Sequence, residues 1–193
     1  MLPSNAPPAL VRLAREFYFQ YKRDKWAAIP WGWSPLGFGF YSGVFQHDDY
    51  PDYAVKISGA GGFGEAVQGN VYEMRESIER RSKRHDAWPT FAEYCSTVQH
   101  DNLPRVLYLE RLTEYMTLGI MPIYSPLGRG HDAHRDYIIA QLNGYEPTEE
   151  WLWPIRQMKS GLYIEVDLHD NNWMQDDYGN LILLDPFSTT GES

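Results

Sequence analysis

The chain has 193 residues, a formal net charge of −9, a single Cys, and 43% apolar and 15% aromatic content. That length and apolar content fit one domain, or one small two-lobed unit, with a sizeable core. The acidic balance argues against nucleic acid as a direct partner. The lone Cys95 excludes a disulfide framework and fits a reducing cytoplasm. No run approaches the roughly 18 apolar residues of a membrane span, and a start carrying Pro3, Pro7 and Pro8 without an apolar segment predicts no secretory signal.

Residues 1–7 read as a loose tail. Pro8 suits a helix start, and Leu10, Leu13, Phe17, Tyr18 and Tyr21 recur at helical spacing, so a helix over 9–26 is expected to lie against the body. Its polar face is not strongly basic, which disfavours a membrane-surface helix. A Trp- and Pro-rich connector spans 27–35. The stretch LGFGFYSGVF, Leu36 to Phe45, holds Gly37 and Gly39 two apart, then Ser42 and Val44. Small residues let backbone N–H groups approach phosphate oxygens, although a lone G-x-G is common in loops. A turn is expected near Asp48–Asp52 and a strand over Tyr53–Ile57. Lys56 in that apolar strand implies either a solvated edge or a bound partner.

Gly59, Gly61, Gly62 and Gly64 lack the G-K-S/T ending of a P-loop and read as a connector. A charged helix is expected over 65–84. Pro89 near a helix start, with Phe91, Tyr94 and Cys95 on one face, predicts a helix over 86–98 in which Cys95 is a core residue. Arg105–Glu110 and Tyr115–Met121 are expected to pair as strands, with Met121–Pro126 as a connection between lobes. His131 and His134 fall among Asp132 and Asp136 in what reads as a solvated polar loop, without a third ligand at metal-site spacing. Short helices are expected over 136–142 and 149–161.

Residues 163–187, YIEVDLHDNNWMQDDYGNLILLDPF, carry the chemistry. Asn172 follows Asp167 by five positions and Asp185 follows Asn172 by thirteen. Between them Asp176–Asn180 has turn composition, with Gly179 or Asn180 suited to positive φ. A hairpin there puts Asn172 just before its first strand and Asp185 just after its second, so both can face one ion. Phosphoryl transfer needs a carboxylate to orient the attacking hydroxyl, and an Asn and an Asp to hold Mg²⁺ on the phosphates. An oxygen-only pair suits Mg²⁺. Asp167 is the candidate base, with Asn172 and Asp185 as the candidate metal ligands. A polar loop before a Gly-containing hairpin is the plainer alternative.

At these residues the chain resembles the protein-kinase-like superfamily. Asp167, Asn172 and Asp185 match its catalytic-loop Asp and Asn and the Asp of its DFG element, although the tripeptides here are Glu165-Val166-Asp167 and Asp185-Pro186-Phe187. His169 stands where protein kinases carry a Lys and aminoglycoside- and choline-kinase-like branches carry a His. Gly37, Gly39 and Val44 match the Gly-rich loop, with Ser42 for its third Gly. The motifs LGFGFYSGVF, AVKI, DAWPTFAEYC, HDNLPRV, VDLHDNNWM and LLDPFS, in that order over about residues 33–190, are similar to the early protein kinases of T7-like bacteriophages.

The resemblance implies an α+β, two-lobed protein-kinase-like fold. It implies an N-terminal tail and helix over 1–32 and a small antiparallel-sheet lobe over 33–122 with a charged insertion at 65–84. A reduced helical lobe over 123–193 would lack the region that follows the DFG equivalent. It also implies ATP and Mg²⁺ as cofactors, Lys56 on the α and β phosphates, a Glu paired with Lys56 (Glu93 first, Glu73 and Glu76 as alternatives), and His169 near the transferred phosphoryl group. The implied substrates are Ser or Thr of host bacterial proteins, including transcription or RNA-processing machinery, in the host cytoplasm. Two other readings stay open. One is a small-molecule kinase, favoured by His169. The other is a pseudokinase that inhibits a host or defence protein by contact.

Overall fold

Helix α1 (Pro8–Arg23) opens on a proline, whose fixed φ and missing N–H suit a first helical turn, and Val11 N donates to Pro7 O at 3.1 Å. The computed structural model describes residues 5–23, 29–38, 42–59, 87–113, 116–144, 147–162 and 164–189. Gly39, Glu73, Glu76 and the charged segment 65–84 lie outside them. Among the described residues the chain is a mixed α+β protein, with four helices and a five-stranded antiparallel sheet as its largest sheet. Also among them, no helix is long and apolar enough to cross a membrane. The chain divides into two compact units, Met1–Asp86 with Val106–Ile123, and Ala87–Arg105 with Tyr124–Ser193.

The first unit is built on the sheet β1 (Trp33–Phe38), β2 (Ser42–His47), β3 (Tyr50–Gly59), β4 (Tyr108–Arg111) and β5 (Met116–Pro122), in the order β1-β2-β3-β5-β4. Side chains alternate between faces along each strand. Phe45 lies opposite Val55, Val55 opposite Ile120, and Tyr108 opposite Ile120. This row faces α1, where Leu10, Ala14, Phe17 and Tyr18 are buried in the same core. Phe17 stacks on Trp33 at 4.9 Å and meets Phe45 edge-on at 4.6 Å. Burying each such side chain contributes about 1.5–3 kcal/mol, so the helix is held by its apolar stripe.

The next row along β3 faces the other way: Val44 lies opposite Lys56, and Lys56 opposite Gly119. The neighbouring row on that face joins Ser42, Ser58 and Thr117, all buried. Lys56 is only 5% exposed on a central strand, so it is not the solvated lysine of a sheet edge.

One polar contact fastens α1 to β4. Arg15 Nε and Nη2 donate to the two Glu110 carboxylate oxygens at 2.8 Å each, and Nη2 also donates to Tyr108 Oη at 2.9 Å. The Arg15 hydrogen bond, against a smaller opposing effect of burial, holds the Glu110 carboxyl below its ordinary value of 4.5. A lowered carboxyl stabilises the fold above that ordinary value, and the contribution is lost as pH falls through the folded-state value. Glu110→Gln is therefore expected to lose about 1 kcal/mol at neutral pH, the upper end for a partly exposed pair. Thermal melts from pH 7 down to pH 3 should show the gap to the parent chain closing below about pH 4.5; a constant gap refutes the assignment.

The second unit contains α2 (Trp88–Thr97), α3 (Asp132–Asn143) and α4 (Leu152–Leu162). It also contains two small antiparallel sheets, β6-β8-β9 (Ser125–Pro126, Trp173–Gln175, Leu181–Leu183) and β7-β10 (Ile164–Val166, Phe187–Thr189). Tyr94 Oη donates to Trp151 O at 2.8 Å, and the His100 ring stacks on Trp151 at 4.6 Å. Phe91 meets Phe187 edge-on at 6.1 Å. Cys95 is buried, and burial pushes its thiol far above the ordinary range, so it packs as a core residue and not as a nucleophile.

The structure corrects several expectations. Helix α3 begins at Asp132, not near Asp136, so His134, Asp132 and Asp136 lie on a helix and His131 is its N-cap, not members of a polar loop. An acidic residue in a first turn complements the helix dipole, and Arg135 neutralises the local aspartates, so high polarity here did not mean loop. Within the stretch 121–126, expected to connect the lobes, the two units divide between Ile123 and Tyr124, and Ser125–Pro126 pairs as β6 with β8. Helix α2 falls in the second unit, whereas residues 33–122 were expected to form one lobe.

Candidate functional site

The hairpin of the second unit forms where expected. Asp176 Oδ1 accepts from Tyr178 N at 3.0 Å and Asn180 N at 2.7 Å, and Gly179 takes φ +81°. This Asx turn closes β8 on β9. Asn172 ends a single 3₁₀ turn (Asp170–Asn172) immediately before β8, and Asp185 follows β9 by two residues.

Three of the expected side chains meet. Asn172 Nδ2 donates to the backbone oxygen of Asp167 at 2.7 Å and lies 3.3 Å from His169 Nε2. That His169 nitrogen is 3.6 Å from Asp167 Oδ1, with His169 54% and Asp167 33% exposed. His169 Nε2 thus sits between a donor and an acceptor, and its tautomer selects which it engages. Because the Asn172 amide commits its N–H₂ side to Asp167 and His169, its Oδ1 turns away as an acceptor.

Asp185 is bracketed through the backbone. Leu184 N donates to Asn172 O at 2.9 Å, and Asp167 N donates to Pro186 O at 2.8 Å. The metal-ligand candidates Asn172 and Asp185 are thereby held in adjoining segments. Their donor set, one amide oxygen and one carboxylate, is all oxygen and fits a hard cation such as Mg²⁺. Among the described residues, no group of three or more His, Cys, Asp or Glu is arranged to hold a metal ion.

The remaining candidates lie elsewhere. Lys56, Gly37, Ser42 and Val44 belong to the first unit. Gly37 pairs with Val44 beside a bulge in β1, and a Cβ there would meet nothing within 4 Å, so neither space nor φ demands glycine. Ser42 and Val44 share the sheet face of Lys56. Glu93 is exposed on α2, in the second unit.

Three residues were not assigned roles from the sequence. Trp173, 1% exposed, donates Nε1 to Leu168 O at 3.2 Å and so ties the polar loop to the start of β8. Arg135 on α3 donates Nη1 to Asp170 Oδ1 at 2.9 Å, with Asp132 and Asp136 also beside its guanidinium. Asn102 grips β9. Helical spacing reveals only the Arg135–Asp132 pair; the Arg135–Asp170 and Asn102–β9 contacts join segments far apart in the chain.

No protein-family model matches the chain, and no curated protein matches it at a significant level.

Proposed function

We propose that the chain is an ATP- and Mg²⁺-dependent kinase of minimal two-lobed, protein-kinase-like form that phosphorylates Ser or Thr of host proteins, in the manner of the early kinases of T7-like bacteriophages. The observation that carries this reading is the meeting of Asp167, His169 and Asn172 in one loop whose backbone also brackets Asp185. A Lys on the third strand, next to a Gly-containing hairpin, adds support, because kinases use those elements for the phosphates.

In this reading Asp167 Oδ accepts the proton of the attacking hydroxyl. The hydroxyl oxygen takes the γ-phosphoryl group, and ADP leaves. Mg²⁺, when bound, neutralises charge on the phosphates; Asn172 and Asp185 would hold it. Lys56 pairs with the α and β phosphates, and Gly37, Gly39 and Ser42 cover them. His169 holds Asn172 and faces the transferred group.

The test is incubation of the purified protein with γ-labelled ATP, Mg²⁺ and a bacterial lysate, beside Asp167→Asn. Labelled protein bands that require Asp167 support the reading. Label recovered only in small acid-soluble products favours a small-molecule kinase, the alternative that the position of His169 suits. No transfer of either kind leaves the contact inhibitor.

A further inference from the structure

Strand β9 is the edge of its three-stranded sheet, with β8 on one side. In an antiparallel ribbon the backbone groups of alternate residues point away from the partner strand. On β9 those of Leu181 and Leu183 reach a single residue outside the sheet. Asn102 Nδ2 donates to Leu181 O at 2.8 Å, and Leu183 N donates to Asn102 O at 2.9 Å. Asn102 therefore acts as a one-residue fourth strand. Its own backbone N–H is directed to His100 Nδ1 at 3.2 Å, and His100 is stacked on Trp151. The side-chain amide supplies the donor that the backbone has committed elsewhere.

The location gives this bridge its meaning. Leu183, Leu184 and Pro186 are pinned in succession by Asn102, Asn172 and Asp167, and Asp185 lies among them. Two of these anchors belong to the polar loop itself. Asn102 is the anchor from outside that loop.

We infer that Asn102 is a positioning residue: it registers the outer edge of β9 and so sets the direction in which Asp185 offers its carboxylate to a divalent cation. The cation role rests on the kinase reading above; the hold on β9 does not.

The test compares the full chain with Asn102→Ala, which removes the side-chain donor but keeps the backbone acceptor, and with Asn102→Asp, which opposes an oxygen to Leu181 O. Leu142→Ala, a fully buried position on α3 that makes none of the bridge's hydrogen bonds, controls for general loosening. Two quantities are read: Mn²⁺ affinity in the presence of ATP, by electron paramagnetic resonance, and amide exchange at Leu181–Leu183. Loss of a residue that orients a metal ligand typically weakens affinity by about 10-fold or more. That loss is expected in both Asn102 variants and not in Leu142→Ala at equal folded fraction, together with faster exchange at Leu183. Equal weakening in Leu142→Ala, or unchanged affinity in the Asn102 variants, overturns the inference. If the parent chain binds no Mn²⁺ with ATP, the kinase reading falls. Exchange at Leu183 then decides the hold on β9, and parent-like protection in Asn102→Ala refutes it.

Discussion

Asp167→Asn is expected to lower phosphoryl transfer by at least about 10²-fold, the lower bound for loss of a positioned general base. The structure makes this substitution informative because the fold uses residue 167 through its backbone. Its N–H donates to Pro186 O and its carbonyl accepts from Asn172 Nδ2. Asn keeps the shape and both backbone bonds and removes only the carboxylate, which lies 3.6 Å from His169 Nε2. The melting temperature and ATP affinity should therefore stay close to those of the parent chain. A large fall in transfer with an unchanged melt assigns the loss to chemistry. Retention of most activity removes Asp167 from the role of base.

Asp185→Ala should act on a different quantity. If Asp185 holds the cation, ATP affinity in Mg²⁺ should fall by about 10-fold or more, while affinity measured in EDTA should not change. Titration calorimetry with and without Mg²⁺ separates the two. The backbone bonds on either side of residue 185, Leu184 N to Asn172 O and Asp167 N to Pro186 O, do not depend on its side chain, so the segment should keep its course. Equal ATP affinity for parent and variant in Mg²⁺ rules out the metal role. Together the two variants distinguish proton acceptance from cation binding within one small loop.

Most of this loop was legible because its determinants are local. The Asp176–Asn180 turn, the positive φ of Gly179 and the flanking positions of Asn172 and Asp185 all follow from turn chemistry and two short apolar runs. Helix α1 was legible for a similar reason, since its stripe repeats at helical spacing. The features that escaped depend on partners distant in sequence. The β7–β10 pairing joins two three-residue strands, too short to carry periodicity. The Asn102 bridge spans 79 positions, and an Asn side chain standing in for a backbone donor leaves no pattern. Polar composition also misled around His131–Asp136, where a helix pairs its charges with Arg135. For Lys56, the strand was legible but its central place in the sheet was not, because strand order is a property of the whole unit.

The clasp between Arg15 and Glu110 spans 95 positions, and this has a consequence for how the chain is made. On a ribosome adding about 5–20 residues per second, the apolar stripe of α1 emerges about 5–20 s before strands β4 and β5 arrive to complete the surface it covers. The first unit is also interrupted, because residues 87–105 are spun out in the middle of it and belong to the second. Nascent chains stalled before residue 106 should accordingly bind chaperones that recognise exposed apolar segments, and completed, released chains should not.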